Sequence, residues 1–136
     1  MKKFVFVICL SFSVFNIHAE SNTSFAVVQN SANSNAKYIL YPTTNMWAFL
    51  KLDTSTGIIT QVHFSVGDDN RAEVNLNPYS LLGYDETPTN GRFALYPTQN
   101  MFNFILLDTK SGQTWQVQWS NDSDKRGIVK IPSYTY

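Results

Sequence analysis

The chain has 136 residues, with 10 basic side chains, 10 acidic side chains and a single cysteine. This length suits one domain that buries its own core. The charge balance lacks the basic surface that nucleic-acid-binding proteins use, and one cysteine cannot form an internal disulfide. We therefore expect no nucleic acid among the partners.

The N-terminus has the layout of an export signal. Two lysines precede an apolar run over 4–15, and Ala19 offers a small residue at the expected cleavage point. The run is too short to span a bilayer. These features predict a signal peptide over 1–19. Two alternatives stay open, namely a buried N-terminal strand and a lipoprotein signal at Cys9.

Cleavage after Ala19 predicts an exported protein, either periplasmic or secreted. The mature chain would lose Cys9 and would contain no apolar stretch long enough for a membrane span. Residues 20–35 are rich in Ser and Asn and are expected to form a flexible arm. Within that arm, residues 25–28 could add an edge strand.

The rest of the chain repeats itself with an offset of 55 residues. Residues 36–77 (the N repeat) align without a gap to 91–132 (the C repeat), and 17 of the 42 pairs are identical. A duplication of this kind predicts two similar units that bury their apolar faces against each other. We therefore expect one β domain over 36–136.

Apolar residues alternate with period two, which predicts strands. In the N repeat these strands are 37–41, 46–52, 58–65 and 71–76, with Pro42 ending the first because proline cannot donate to a ladder. A segment running from an Asp to a Gly separates the second strand from the third and predicts a hairpin. The C repeat has the same order.

The third strand predicts which face is buried. The expected core face carries Ile58, Thr60, Val62 and Phe64, matched by Gln113, Trp115, Val117 and Trp119. The expected polar face carries Ile59, Gln61, His63 and Ser65, matched by Thr114, Gln116, Gln118 and Ser120. One meander alone leaves an apolar face and two open edges. The fold class is therefore predicted as all-β, with two four-stranded antiparallel meanders forming a barrel or barrel-like sandwich with pseudo-twofold symmetry.

Residue types that could carry catalysis have simpler structural explanations. Asp53 and Asp108 could act as a glycosidase pair, but each lies in a predicted hairpin turn where a carboxylate binds backbone N–H groups. His63 is the only histidine after Ala19 and lacks partners at suggestive spacing. We therefore predict no enzyme and no cofactor.

Two oxygen-rich loops, at 68–70 and 122–124, resemble partial calcium sites. Neither loop has a complete ligand pattern, so no metal is predicted and calcium binding stays open.

The repeated Tyr-Pro-Thr-x-Asn-Met segment is the strongest candidate for binding. Aromatic faces next to amides suit sugars or peptide segments. The alternative is that these aromatic residues fill the core. The predicted ligand-binding residues are Tyr41, Asn45, Trp47, Tyr96, Asn100 and Phe102.

The pattern Leu-Asp-Thr-x-[Thr/Ser]-Gly, followed by Trp-Gln-Val-Gln-Trp over 115–119, resembles small exported bacterial β-repeat proteins of unknown function. The resemblance covers both repeats and implies no activity. The hairpin also distantly resembles a blade of quinoprotein-type β-propellers. Two copies are fewer than a propeller needs, unless chains assemble into a ring.

The sequence therefore predicts an exported, non-catalytic binding domain whose partner is a glycan or an envelope protein. The alternative is a structural or assembly protein of the cell envelope that pairs with neighbours through open sheet edges. The sequence leaves the oligomeric state open.

Overall fold

A computed structural model describes residues 35–134. The predicted signal peptide and, apart from residue 35, the predicted arm lie outside the described residues. The N repeat contains the strands β1 Tyr38–Pro42, β2 Ala48–Asp53, β3 Ile59–His63 and β4 Ala72–Asn77. The C repeat contains β5 Phe93–Pro97, β6 Asn103–Asp108, β7 Thr114–Gln118 and β8 Gly127–Lys130. One 3₁₀ turn precedes the last strand of each repeat, at Asp68–Asn70 and Ser123–Lys125.

Each repeat is a four-stranded antiparallel sheet in chain order, β1-β2-β3-β4 and β5-β6-β7-β8. The registers match at the 55-residue offset, since Tyr41 pairs with Leu50 and Tyr96 pairs with Ile105. The predicted all-β class and the two antiparallel meanders are confirmed. Neither sheet closes into a barrel within residues 35–134.

The hairpin between the second and third strands of each repeat has the predicted chemistry. Asp53 Oδ1 accepts hydrogen bonds from the N–H and the hydroxyl of Ser55, at 2.9 and 2.6 Å. Gly57 has a φ of 78°, in the left-handed region that favours glycine. Asp108 and Gly112 repeat this arrangement, so the interpretation of both aspartates as turn residues is confirmed.

Each sheet has two faces, called face A and face B. Face A carries Leu40, Phe49 and Val62 in the N repeat, and Leu95, Phe104 and Val117 in the C repeat. Face B carries Tyr41, Leu50, Leu52 and Gln61 in the N repeat, and Tyr96, Ile105, Leu107 and Gln116 in the C repeat.

The repeats bury opposite faces. Leu40 is 49% exposed whereas its equivalent Leu95 is 4% exposed, and Tyr41 is 7% exposed whereas Tyr96 is 46% exposed. The N repeat therefore buries face B and the C repeat buries face A. These buried sides contribute to a single apolar cluster.

This burial differs from the predicted faces in one repeat. In β7, Trp115, Val117 and Trp119 are buried as expected. In β3, the buried side chains are Ile59 and Gln61, which were predicted to face solvent. A twofold axis would bury the same face in both repeats, so the burial does not follow the predicted symmetry. The physical reason is that face B of the N repeat packs against face A of the C repeat.

Hydrogen bonds between the repeats accompany this packing. The N–H groups of Gly91 and Phe93 donate to the hydroxyl and carbonyl of Thr54, at 2.9 and 2.8 Å. The N–H of Leu95 donates to the Tyr41 hydroxyl at 3.4 Å. The N–H of Ser120 donates to Gln61 Oε1 at 3.3 Å. Gln61 is thus a buried amide with partners, as burial of a polar group requires.

The segment that joins the repeats is fixed at two points. Leu81 and Leu82 pack against the apolar cluster, whereas Tyr84 is exposed. Glu86 receives a hydrogen bond from Arg92 at 2.8 Å. The same guanidinium binds both carboxylate oxygens of buried Asp108, at 3.0 and 2.7 Å.

This ion pair sets the charge state of Asp108. Burial alone would raise the pKa of Asp108, but hydrogen bonds from Arg92, Ser111 and the backbone hold that pKa well below its usual range. The pair occurs in one repeat only, because Lys37 stands where the C repeat has Arg92 and is exposed.

The two hairpin glycines should differ in their tolerance of a side chain. A Cβ on Gly57 would lie 2.8 Å from Leu81 Cδ1, whereas a Cβ on Gly112 would meet nothing within 4 Å. We expect Gly112→Ala to cost about 1 kcal/mol for the left-handed backbone. Gly57→Ala should cost a further 1–3 kcal/mol or so for overpacking. Urea unfolding measures both, and equal losses would contradict the close approach of Leu81.

The Arg92–Asp108 pair predicts a pH-dependent stability. Asp108→Asn should lower the free energy of unfolding by about 3 kcal/mol at pH 7, because it leaves a buried guanidinium without its main counter-ion. The pKa of Asp108 is depressed on folding, so the stabilisation is complete above about pH 4 and declines as the pH falls toward the folded value. The gap between wild type and variant should therefore stay constant from pH 7 to about pH 4 and narrow below about pH 4.

Asp53→Asn is the matched control for this experiment. Asp53 holds the equivalent turn without a guanidinium partner among the described residues. Its substitution should cost about 1 kcal/mol. A loss at Asp53 equal to that at Asp108 would contradict the role assigned to Arg92.

Candidate functional site

The main concave feature lies between the two Pro-Thr-x-Asn-Met loops. These loops connect β1 to β2 and β5 to β6, and they enclose a cleft of about 560 Å³ together with the starts of β2 and β6. This volume is in the range of ligand sites in proteins. The residues that line the cleft are Pro42, Thr43, Thr44, Asn45, Met46, Ala48, Phe49, Pro97, Thr98, Asn100, Met101, Asn103 and Phe104.

Each loop is held by its own threonine and asparagine. The Thr43 hydroxyl donates to the carbonyls of Ala48 and Asn45, at 2.9 and 3.0 Å, and accepts from the Asn45 N–H at 3.1 Å. Asn45 Oδ1 accepts from the Trp47 N–H at 3.0 Å. Thr98 and Asn100 make the same bonds in the C repeat. The repeated threonine and asparagine are therefore explained by the loop itself.

The same bonds determine what the loops can offer to a ligand. Because Asn45 Oδ1 and Asn100 Oδ1 accept from the backbone, each side chain keeps an Nδ2 amine as a hydrogen-bond donor. The cleft is lined by one such asparagine from each loop. Such donors suit a ligand that presents carbonyl oxygens.

The remaining lining of the cleft is mostly apolar. Met46 and Met101 are exposed on the two loops, and Phe49 and Phe104 lie further along their strands. Methionine adapts its shape to different apolar groups because it is unbranched and polarizable. Two methionines, one from each loop, therefore make the apolar lining of the cleft adaptable.

Of the six predicted ligand-binding residues, only two line this cleft. Asn45 and Asn100 both line the cleft. Trp47 and Phe102 lie outside it and pack on neighbouring rings, with Trp47 centred 5.3 Å from Phe64 and Phe102 centred 5.5 Å from Trp119. The six residues therefore do not form one site.

The two predicted tyrosines are not equivalent. Tyr41 is buried and accepts the hydrogen bond from Leu95, and burial raises its pKa. Tyr96 is exposed on face B of the C repeat and is not among the residues that line the cleft. The alternative that these aromatic residues serve the core therefore holds for Tyr41 alone.

Sequence reasoning missed the apolar residues of the cleft. Met46 and Met101 belong to the repeated segment, but the predicted binding residues were its aromatic and asparagine side chains. The usable signal was that equivalent loops of two stacked repeats fall at the same end of the domain. The methionines at equivalent positions of the two loops can then line the same cleft.

The remaining polar candidates are engaged elsewhere. His63 Nε2 lies 2.8 Å from the Gln61 amide nitrogen. The equivalent glutamines of the two repeats have different partners, since the Ser120 N–H donates to Gln61 and Gln116 donates to Asn103. Asp122 Oδ1 accepts from the Asp124 N–H at the start of the second 3₁₀ turn.

Residues 35–134 contain no group of three or more His, Cys, Asp or Glu side chains placed to hold a metal ion. In the same residues, no helix has the length and apolar character needed to cross a membrane.

A scan against protein-family models, a search of curated proteins and a search of solved structures each found no match. The resemblance to exported bacterial β-repeat proteins therefore stays a prediction.

Proposed function

We propose that this chain is an exported, non-catalytic binding domain that receives an apolar peptide segment of an envelope protein in the cleft between its two Pro-Thr-x-Asn-Met loops. The cleft itself is the observation that carries the proposal. It has the volume of a ligand site, and each loop contributes one methionine and one asparagine to its lining. Such a cleft takes apolar side chains into its slot and binds backbone carbonyls at its rim.

A peptide fits this lining better than a glycan. Sugars are held by aromatic faces with polar groups beside them. The rings predicted for that role, Trp47 and Phe102, lie outside the cleft and pack at a tilt against other aromatic rings. Phe49 and Phe104 do line the cleft, but Phe104 is buried and the other apolar lining is methionine, proline and alanine.

Export is the part of the proposal that rests on the N-terminal sequence alone. The basic start, the short apolar run and Ala19 support it. For the fold, we propose a two-layer, sandwich-like packing rather than a barrel. The support is that face B of the N repeat and face A of the C repeat share one apolar cluster.

Peptide selection followed by cleft substitution tests the function. A displayed peptide library would be selected on the processed protein, and the affinity of a selected peptide measured by fluorescence anisotropy. We expect Met101→Asp to weaken binding at least about tenfold, because burying a methionine contributes roughly 1.5–3 kcal/mol. Met46→Asp should act in the same direction.

Tyr79→Asp is the matched control, since Tyr79 is exposed on the segment that joins the repeats and lies outside the cleft. It should leave the affinity unchanged. The proposal fails if selection yields no peptide, or if bound peptides ignore both methionine substitutions. A glycan array that gave the only selective ligand would also overturn it.

A further inference from the structure

Packing one repeat onto the back of the other leaves two faces uncovered. Face A of the N repeat and face B of the C repeat lie on the outer sides of the two sheets. Their equivalents, face A of the C repeat and face B of the N repeat, meet and form the core. The two outer faces are therefore the repeat-related equivalents of the two faces that meet in the core.

The outer face A keeps most of the apolar character of its buried equivalent. Leu40, Tyr38 and Phe64 are exposed on it, where the C repeat has the buried residues Leu95, Phe93 and Trp119. Phe64 lies between two further rings, with its centre 5.3 Å from that of Trp47 and 5.9 Å from that of Phe49. A contiguous exposed aromatic and aliphatic patch of this kind is typical of an interaction surface.

The outer face B is also apolar. Tyr96 is exposed there, Val129 is 68% exposed, and Ile105 and Leu107 are half-buried. Their equivalents in the N repeat include Tyr41, Leu50 and Leu52, all of which are buried against the C repeat.

The polar groups of the internal interface have counterparts as well. Thr54, Tyr41 and Gln61 accept the hydrogen bonds from the C repeat, and the identical residues Thr109, Tyr96 and Gln116 stand at the same positions of the C repeat. The last two of these are exposed on the outer face B.

The donor side is repeated too. Leu95 and Ser120 donate from the C repeat, and Leu40 and Ser65 hold their places in the N repeat. The donors and acceptors needed for a second interface are therefore present.

From this match we propose that a second copy of the chain docks head to tail, with face B of its C repeat on face A of the N repeat. The intermolecular contact copies the internal one, including hydrogen bonds from Leu40 to Tyr96 and from Ser65 to Gln116 of the neighbour. Because two different faces meet, the contact is heterologous and each added copy leaves one face open. Chains then form a closed ring or an open series.

Substitutions on both faces weaken this contact relative to the internal one, and on the outer face B Thr114 stands where the N repeat has the buried Ile59. Lys51, Thr60 and Glu73 occupy the outer face A where the C repeat has Leu106, Trp115 and Ile128. Lys51 and Glu73 pair with each other, so the face presents no net charge at this point. We therefore expect reversible association that depends on protein concentration.

Sedimentation velocity with two face variants tests the head-to-tail contact. Leu40→Glu blocks face A, and Val129→Glu blocks face B. We expect the mass of the wild-type processed protein to rise with concentration, while each variant alone stays monomeric. An equimolar mixture should double the monomer mass and stop there, because one intact face A meets one intact face B.

Other outcomes overturn the proposal. If the wild-type protein is monomeric at every concentration, the head-to-tail proposal is wrong. Association of either variant alone would indicate a contact between identical faces, and a mixture that stays monomeric would remove the pairing of A with B.

Tyr84→Glu serves as control, because Tyr84 is fully exposed away from both faces, and it should assemble like wild type. If circular dichroism shows that Leu40→Glu is unfolded, Tyr38→Glu takes its place, since Tyr38 is more exposed on the same face.

Discussion

Two sheets have four faces, and only one pair of faces can meet. In this chain face B of the N repeat meets face A of the C repeat, and this choice fixes which residues are core. It makes Gln61 a buried acceptor, removes Tyr41 from solvent and leaves Tyr96 outside. Burial of apolar area is the main stabilising contribution to folding, so the environment of the equivalent side chains follows from this single packing choice.

The loops and the sheets use the duplication in different ways. The two Pro-Thr-x-Asn-Met loops keep the same internal hydrogen bonds and together line one cleft, so there the repetition produces a binding space. The sheets have the same register but opposite burial, so their repetition leaves two complementary open faces. Phe49 belongs both to the lining of the cleft and to face A, but the substitutions that test peptide binding lie in the loops and those that test association lie on the strands, so each proposal can be tested without the other.

Local features were predictable from the sequence, and the packing of the repeats was not. The antiparallel strands followed from period-two alternation, and the hairpins from Asp53 and Gly57, because those signals lie within a few residues. The buried face could not be read from β2, since both of its sides carry apolar side chains. Trp115 pointed to face A as core in one repeat, and symmetry wrongly extended that assignment to Thr60. The cleft was missed because the methionines of two distant loops come together only after the repeats pack.

Unfolding free energies of equivalent leucines test the opposite burial most directly. Leu95→Ala should cost about 2–5 kcal/mol because it opens a cavity in the core. Leu40→Ala, measured at low concentration where the chain is monomeric, should cost less than about 1 kcal/mol. On face B the order reverses, and Leu50→Ala should cost more than Ile105→Ala. Equal losses within both pairs would mean that the repeats bury the same face, and would contradict the account.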